Sequence, residues 1–259
     1  MGLVVKTMAE WKNANTDPEI LFWVGSAGSF DDRAKKITRS FVKIMNHANV
    51  KFGVLGTEES ASGDVARRSG NEFLFQMQAI SNIQILNSYS VKRIVTTCPH
   101  DYNTMKNEYK DLGGNFDVVH HTEFLVELIN TGMLTLSNNL KGQQITFHDP
   151  CYLGSANRVF EAPRTLLKSL GLNLVEMKRS KSTSFCCGAG GAQMFKEPEK
   201  GREDININRT KEALSTQSKI IATGCPFCNT MLTDGVKNLA EGSAEVLDIA
   251  ELIVLSEKM

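Results

Sequence analysis

The chain has 259 residues, 41% hydrophobic and 22% charged, with 29 basic and 29 acidic side chains and no net charge. That length gives room for one large domain or two modest ones, and the composition is globular rather than disordered. The charge balance excludes a nucleic-acid binder acting through bulk positive charge, and six cysteines are too few for a disulfide-stapled secreted scaffold.

Residues 1–11 lack the basic and apolar regions of a signal peptide, and Lys6 stands where a myristoylation motif needs Ser or Thr. Residues 21–24 read as a short apolar strand. Ala34, Ile37, Phe41, Ile44, Met45 and Ala48 follow at helical spacing. Residues 52–55 form a second strand, and Phe73, Met77, Ile80 and Ile83 make a second helical stripe. The longest uncharged stretch, 73–91, carries too many Gln, Asn and Ser residues to span a membrane. Residues 94–97 are a strand leading into a helix through Met105. Val118 and Val119 begin another strand, and Phe124, Leu125, Leu128 and Ile129 line the next helix. The second half runs the same way, with strands at 145–148, 172–177, 219–223 and 246–248. Its helices lie near Leu166, from Ile207 to Leu214, near Met231 and near Leu252.

The two halves repeat each other. Thr96-Thr97-Cys98-Pro99-His100-Asp101-Tyr102-Asn103-Thr104-Met105 matches Thr223-Gly224-Cys225-Pro226-Phe227-Cys228-Asn229-Thr230-Met231. Cys98 and Cys225 are 127 positions apart, and the same offset pairs Val119 with Val246. Alternating strand and helix calls for right-handed βαβ units. The expected fold is therefore α/β, with two pseudo-symmetric lobes from an internal duplication. Each lobe has a small, mainly parallel sheet flanked by helices. The boundary is expected in the polar stretch 137–144, giving lobes 1–140 and 141–259.

The chemistry concentrates in the second half. Cys151, the pair Cys186-Cys187-Gly188 and Cys225-Pro226-Phe227-Cys228 each follow a predicted strand or loop end. Loops beyond the carboxyl ends of parallel strands converge on one crevice, so five thiols can meet there. Gly188, Gly190 and Gly191 let backbone N–H groups approach an anionic centre. Cys225 opens a helix whose N-terminus favours thiolate charge. His148 and Asp149 are candidates to support the ligands from behind. Five thiols exceed zinc's four positions and suit a multi-iron centre better. The alternatives are four thiolates on zinc in an interaction module without a redox role, a dithiol enzyme using Cys225 and Cys228, or structural thiols in a core.

At these residues the chain resembles the CCG-type cysteine-rich domain family. That family includes the B-type subunit of heterodisulfide reductase, the iron–sulfur subunits of glycolate oxidase and lactate utilisation, and the C-type subunit of anaerobic glycerol-3-phosphate dehydrogenase. His148-Asp149-Pro150-Cys151-Tyr152 and Phe185-Cys186-Cys187-Gly188-Ala189-Gly190-Gly191 carry the likeness together with Cys225 and Cys228. The resemblance implies one [4Fe-4S] cluster, non-cubane in some members, held by Cys151, Cys186, Cys187, Cys225 and Cys228. It implies a subunit of an oxidoreductase that relays electrons to a disulfide, a quinone or a flavoprotein. The partner expected is a ferredoxin-like iron–sulfur subunit, a flavoprotein dehydrogenase or both. No nucleic acid and no direct membrane insertion are expected; the expected location is cytoplasmic, with any membrane contact made through the partner.

The first half departs from the pattern. The positions matching Cys151, Cys186, Cys187 and Cys228 are Ser26, Ala61, Ser62 and Asp101, and only Cys98 survives. Neutral Ser and Ala cannot replace thiolates on iron, so no cluster is expected there. Cys98, His100, Asp101, His120 and His121 form a conceivable zinc set, but their spacing fixes no tetrahedron, and a repurposed polar surface is the favoured expectation.

Overall fold

The computed structural model describes residues 2–197 and 200–259. The chain divides into two compact units, Met1–Leu134 and Thr135–Met259. The first holds a five-stranded sheet in the order β1-β3-β2-β4-β5, from β1 (Lys6–Thr7), β2 (Ile20–Trp23), β3 (Phe52–Val54), β4 (Arg93–Thr96) and β5 (Asp117–His120). The second holds a four-stranded sheet in the order β7-β6-β8-β9, from β6 (Gln144–His148), β7 (Asn173–Leu174), β8 (Ile220–Thr223) and β9 (Glu245–Asp248). Every pairing is parallel. With β1 set aside, the two orders coincide, as a duplication requires. Register carries the likeness to single residues. Trp23 pairs with Thr96 and Thr96 with His120; in the second sheet His148 pairs with Thr223 and Thr223 with Asp248.

The strands are short apolar runs because helices cover both faces of a parallel sheet. In the first unit the helices are α1 (Met8–Asn13), α2 (Gly25–Phe30), α3 (Asp32–His47), α4 (Asp64–Arg68), α5 (Glu72–Ser88), α6 (Pro99–Asn103) and α7 (His121–Asn130). In the second they are α8 (Glu161–Ser169), α9 (Ile205–Ser215), α10 (Pro226–Ala240) and α11 (Ile249–Glu257). The α3 stripe is buried as its spacing predicts, with Ile37, Phe41, Ile44 and Met45 fully enclosed. Asp31 caps it, its carboxylate accepting the Ala34 N–H at 2.7 Å.

Three elements differ from expectation. No apolar pattern announces the short β1–α1 unit. A reciprocal capping box holds it, in which Thr7 Oγ1 accepts from the Glu10 N–H and Glu10 Oε2 from the Thr7 N–H. It packs closely over Gly53, where a Cβ would stand 2.5 Å from Met8 Sδ. The 172–177 strand shrinks to the two residues of β7. On α5 three of the four stripe residues, Phe73, Met77 and Ile80, are exposed; the fourth, Ile83, is buried together with Phe75, Ala79, Asn82 and Leu86. A polar anchor turns the helix. Asn82 donates to the Ala61 carbonyl at 2.9 Å and to Tyr109 Oη at 3.0 Å, and accepts from Ser60 Oγ at 2.8 Å.

Candidate metal centre

Three segments at the carboxyl end of the second sheet bring the five cysteines together. Cys151 leaves β6 at the start of a π-helical turn over Tyr152–Ala156. Cys225 is the N-cap of α10, its Sγ accepting from the Cys228 N–H at 3.5 Å, with Pro226 in the first turn. Cys186 and Cys187 lie on the loop between β7 and α9. There Gly188 takes a positive φ of 92°, and its N–H donates to Cys186 Sγ at 3.2 Å. A Cβ at Gly188 would also press on Ile205. The positive φ is what requires a glycine here, and the Ile205 contact adds to it.

The five sulfurs form a continuous chain of contacts: Cys151, Cys186, Cys187, Cys228 and Cys225. All are free thiols; Cys187, Cys225 and Cys228 are buried and the other two half-buried. The Cys151 and Cys187 thiols donate to Cys186 and hold its pKa well below the usual thiol range. The same bond and burial push Cys151 up; Cys187 and Cys228 rise as well. Negative charge thus settles readily in the middle of the group. Ala189 packs against the sulfurs, with Met194, Phe227 and Met231 around them.

Behind the sulfurs lies a polar layer. Asp149, 2% exposed, takes two bonds from Arg164, at 2.8 and 2.9 Å, and one from the Lys181 N–H at 2.8 Å. Its carbonyl accepts from Ser184 Oγ at 3.0 Å. Asp149 thereby ties the end of β6 to α8 and to the loop that delivers Cys186 and Cys187. His148 is fully enclosed and, through burial and the neighbouring Arg209 guanidinium, its pKa falls to about 3, so it is neutral. One of its ring nitrogens lies within 4.8 Å of the Cys187 and Cys228 sulfurs, which are themselves as close to each other. Sequence reasoning missed Arg164 and Arg209. Both are helix arginines with no distinguishing spacing. The α9 face that is buried carries Arg209, Thr210 and Ala213, not its isoleucines.

Five sulfurs, glycine-lined backbone and a neutral buried imidazole suit an iron–sulfur cluster in donor chemistry and number. The first unit offers no comparable set. Its equivalent glycine, Gly63, has φ 93°, so the loop is retained. In place of the Cys187–Cys228 contact, however, Ser62 Oγ donates to Asp101 Oδ1 at 2.5 Å. Glu59 accepts the Val24 and Gly25 N–H groups at 3.0 and 2.6 Å, and its burial raises its pKa to about 8. Burial raises Asp101 to about 6. His100 Nδ1 bonds Asp64 at 3.0 Å, and His120 Nε2 faces His121 Nδ1 at 3.2 Å. Among the described residues, no three of Cys98, His100, Asp101, His120 and His121 bring ligand atoms within 4.8 Å of one another. A polar surface is the expectation for these residues, but all five are buried.

Fold and site together define a duplicated α/β protein with a group of five contacting thiols in its second unit. A family model described as the CCG cysteine-rich domain matches residues 20–106 and 145–233, and the chain belongs to that family in two copies. It is 49% identical over 254 residues to a Bacillus subtilis protein named "Probable iron-sulfur-binding oxidoreductase FadF", covering 97% of this chain and 36% of the relative. It is 45% identical to the EtfAB:quinone oxidoreductase of Syntrophomonas wolfei, covering 91% of this chain and 34% of the relative. It is 31% identical to a subunit of the dihydromethanophenazine:CoB–CoM heterodisulfide reductase of Methanosarcina barkeri, covering 91% of this chain and 58% of the relative. The chain thus spans between a third and three fifths of the length of these relatives. Among the described residues no helix is long and apolar enough to cross a membrane.

Proposed function

We propose that the second lobe holds one iron–sulfur cluster, of the [4Fe-4S] type, on Cys151, Cys186, Cys187, Cys225 and Cys228, and that the chain is an electron-transfer unit of an oxidoreductase. The observation that carries the proposal is the convergence of five free thiols at one sheet edge, beside a neutral buried histidine. One relative is named an EtfAB:quinone oxidoreductase and another a heterodisulfide reductase subunit; in our reading a flavoprotein or iron–sulfur partner delivers electrons to this chain, and the acceptor is a quinone rather than a disulfide. Association with a membrane would then come through the partner. Bound at these sulfurs, such a cluster supplies one-electron chemistry. The protein's share is to hold the thiolates, to keep water away through Ala189, Met194, Phe227 and Met231, and to fix the loop through Asp149. The first lobe carries no iron.

The test is electron paramagnetic resonance of anaerobically purified protein reduced with dithionite. A signal from a reduced cluster that disappears in Cys187→Ser and persists in Cys98→Ser is expected. A silent protein carrying only zinc at its X-ray absorption edge would overturn the proposal in favour of a zinc-held interaction module.

A further inference from the structure

His148 invites assignment as a ligand, because its ring lies with Cys187 and Cys228 in the geometry of a metal-binding group. Its other neighbour argues against that. Arg209 is fully buried, and its Nε–H donates to His148 Nδ1 at 2.9 Å. A guanidinium has donors only, so Nδ1 must be the accepting nitrogen. A second cation against the guanidinium would be repelled, so the ring is neutral and its proton sits on Nε2. Arg209 cannot swing away, since Nη1 donates to the Arg179 carbonyl at 2.9 Å and to Glu212 at 3.0 Å. Glu212 is in turn held by the Arg179 N–H at 2.6 Å. The remaining nitrogen, Nε2, is buried and has no hydrogen-bond partner among the described residues. A buried donor without an acceptor is costly, and such an orphan needs an explanation.

We infer that His148 is a hydrogen-bond donor to the cluster sulfurs rather than a ligand, and that Arg209 is the positioning residue that fixes its tautomer. The inference rests on the cluster proposed above. The orphaned Nε2–H finds its acceptor in thiolate or inorganic sulfide near Cys187 and Cys228. A donor to those sulfurs stabilises the added negative charge of the reduced state and raises the reduction potential. The first lobe offers an internal comparison. Trp23 occupies the strand position of His148, and its Nε1–H is likewise buried without a partner among the described residues.

Two measurements decide the matter. Histidine-selective nitrogen-15 resonances of the apo full chain, assigned with His148→Gln, should show His148 as the neutral Nε2–H tautomer. Arg209→Met should release that preference. An Nδ1–H tautomer in the unaltered protein would overturn the inference without any reference to iron. On the anaerobically reconstituted protein, His148→Phe should keep the same iron per chain and make reduction about tenfold less favourable, a fall of about 59 mV for a one-electron couple. His148→Gln, which restores an N–H donor, should recover part of that shift and also covers the case in which the Phe variant does not fold. Loss of iron in both variants, or a midpoint unchanged in both, would overturn the inference. Absence of iron from the unaltered protein would instead overturn the cluster proposal, with the tautomer still decided by the resonances.

Discussion

Asp149 should matter more to this protein than any cysteine's neighbour in sequence would suggest. In Asp149→Ala the bidentate contact with Arg164 is lost and the Lys181 N–H loses its acceptor. Arg164 keeps Glu176 and the Phe160 carbonyl, and Ser184 keeps the Asp149 carbonyl, so the loop is not wholly freed. Both ionic side chains are almost enclosed, at 2% and 9% exposure. Removing one partner of a buried pair costs about 3–5 kcal/mol when the other charge is left uncompensated; with Glu176 still on Arg164 the low end, about 3 kcal/mol, is expected. At roughly 2–4 °C per kcal/mol for a chain of this size, the second lobe should melt about 10 °C lower. In Asp149→Asn the single amide oxygen can accept from the Lys181 N–H and Arg164 Nη2, but the amide nitrogen then faces Arg164 Nη1, so a smaller loss of about 1–2 kcal/mol is expected. The assay is urea and thermal denaturation of the apo chain by circular dichroism, followed by iron retention after anaerobic reconstitution. The Ala variant should lose stability and hold iron less firmly. A loss below about 1 kcal/mol with full iron content would show that Asp149 does not anchor the Cys186–Cys187 loop.

Three further outcomes follow from particular side chains. Glu59 has a folded pKa near 8 against an ordinary 4.5, so the folded chain holds a proton that the unfolded chain releases. First-lobe stability should be fullest below about pH 4.5 and decline as pH rises through 8, by at most about 1.4 kcal/mol per unit. Glu59→Gln should flatten that slope in denaturation curves, and an unchanged slope would contradict the assignment. Gly235→Ala drives a Cβ into Thr210 Oγ1, forcing α9 and α10 apart. It should cost roughly 1–3 kcal/mol in the same assay. Gly188→Ala strains a residue at φ 92° and should reduce iron retention, whereas Gly63→Ala, at φ 93° in the first lobe, should leave iron content untouched.

Much of the architecture is visible in the sequence because parallel strands covered on both faces are short, buried runs; β2 and β8 are nearly continuous apolar ones, while β4, β6 and β9 keep two apolar residues each among polar neighbours. The duplication is visible because Cys-Pro and Asn-Thr-Met recur around one offset. Helix faces are harder to read. On α5 the apolar residues outnumber the buried positions, and the orientation is decided by Asn82, a polar residue whose partners are distant in sequence. On α9 the buried face holds Arg209, which no periodicity announces. Thr7 and Glu10 did carry a signal for α1, the capping-box spacing, without an apolar run long enough to draw attention to it. Cys151 and Cys225 could be placed together from strand ends, whereas Cys186 and Cys187 arrive on a long loop after β7 that the motif spacing alone connects to them. The polar layer behind them could not be placed, because Arg164 and Arg209 come from helices whose register against the sheet is set only by packing.

The central claim is that iron belongs to one lobe. Iron, inorganic sulfide and zinc should be quantified on anaerobically prepared full chain, alongside a Cys186→Ser/Cys187→Ser variant and a Cys98→Ser variant. About four iron per chain are expected, matched by sulfide, lost in the double variant and unchanged in Cys98→Ser. Zinc in place of iron, iron that survives the double variant, or a fall in iron on replacing Cys98 would contradict it.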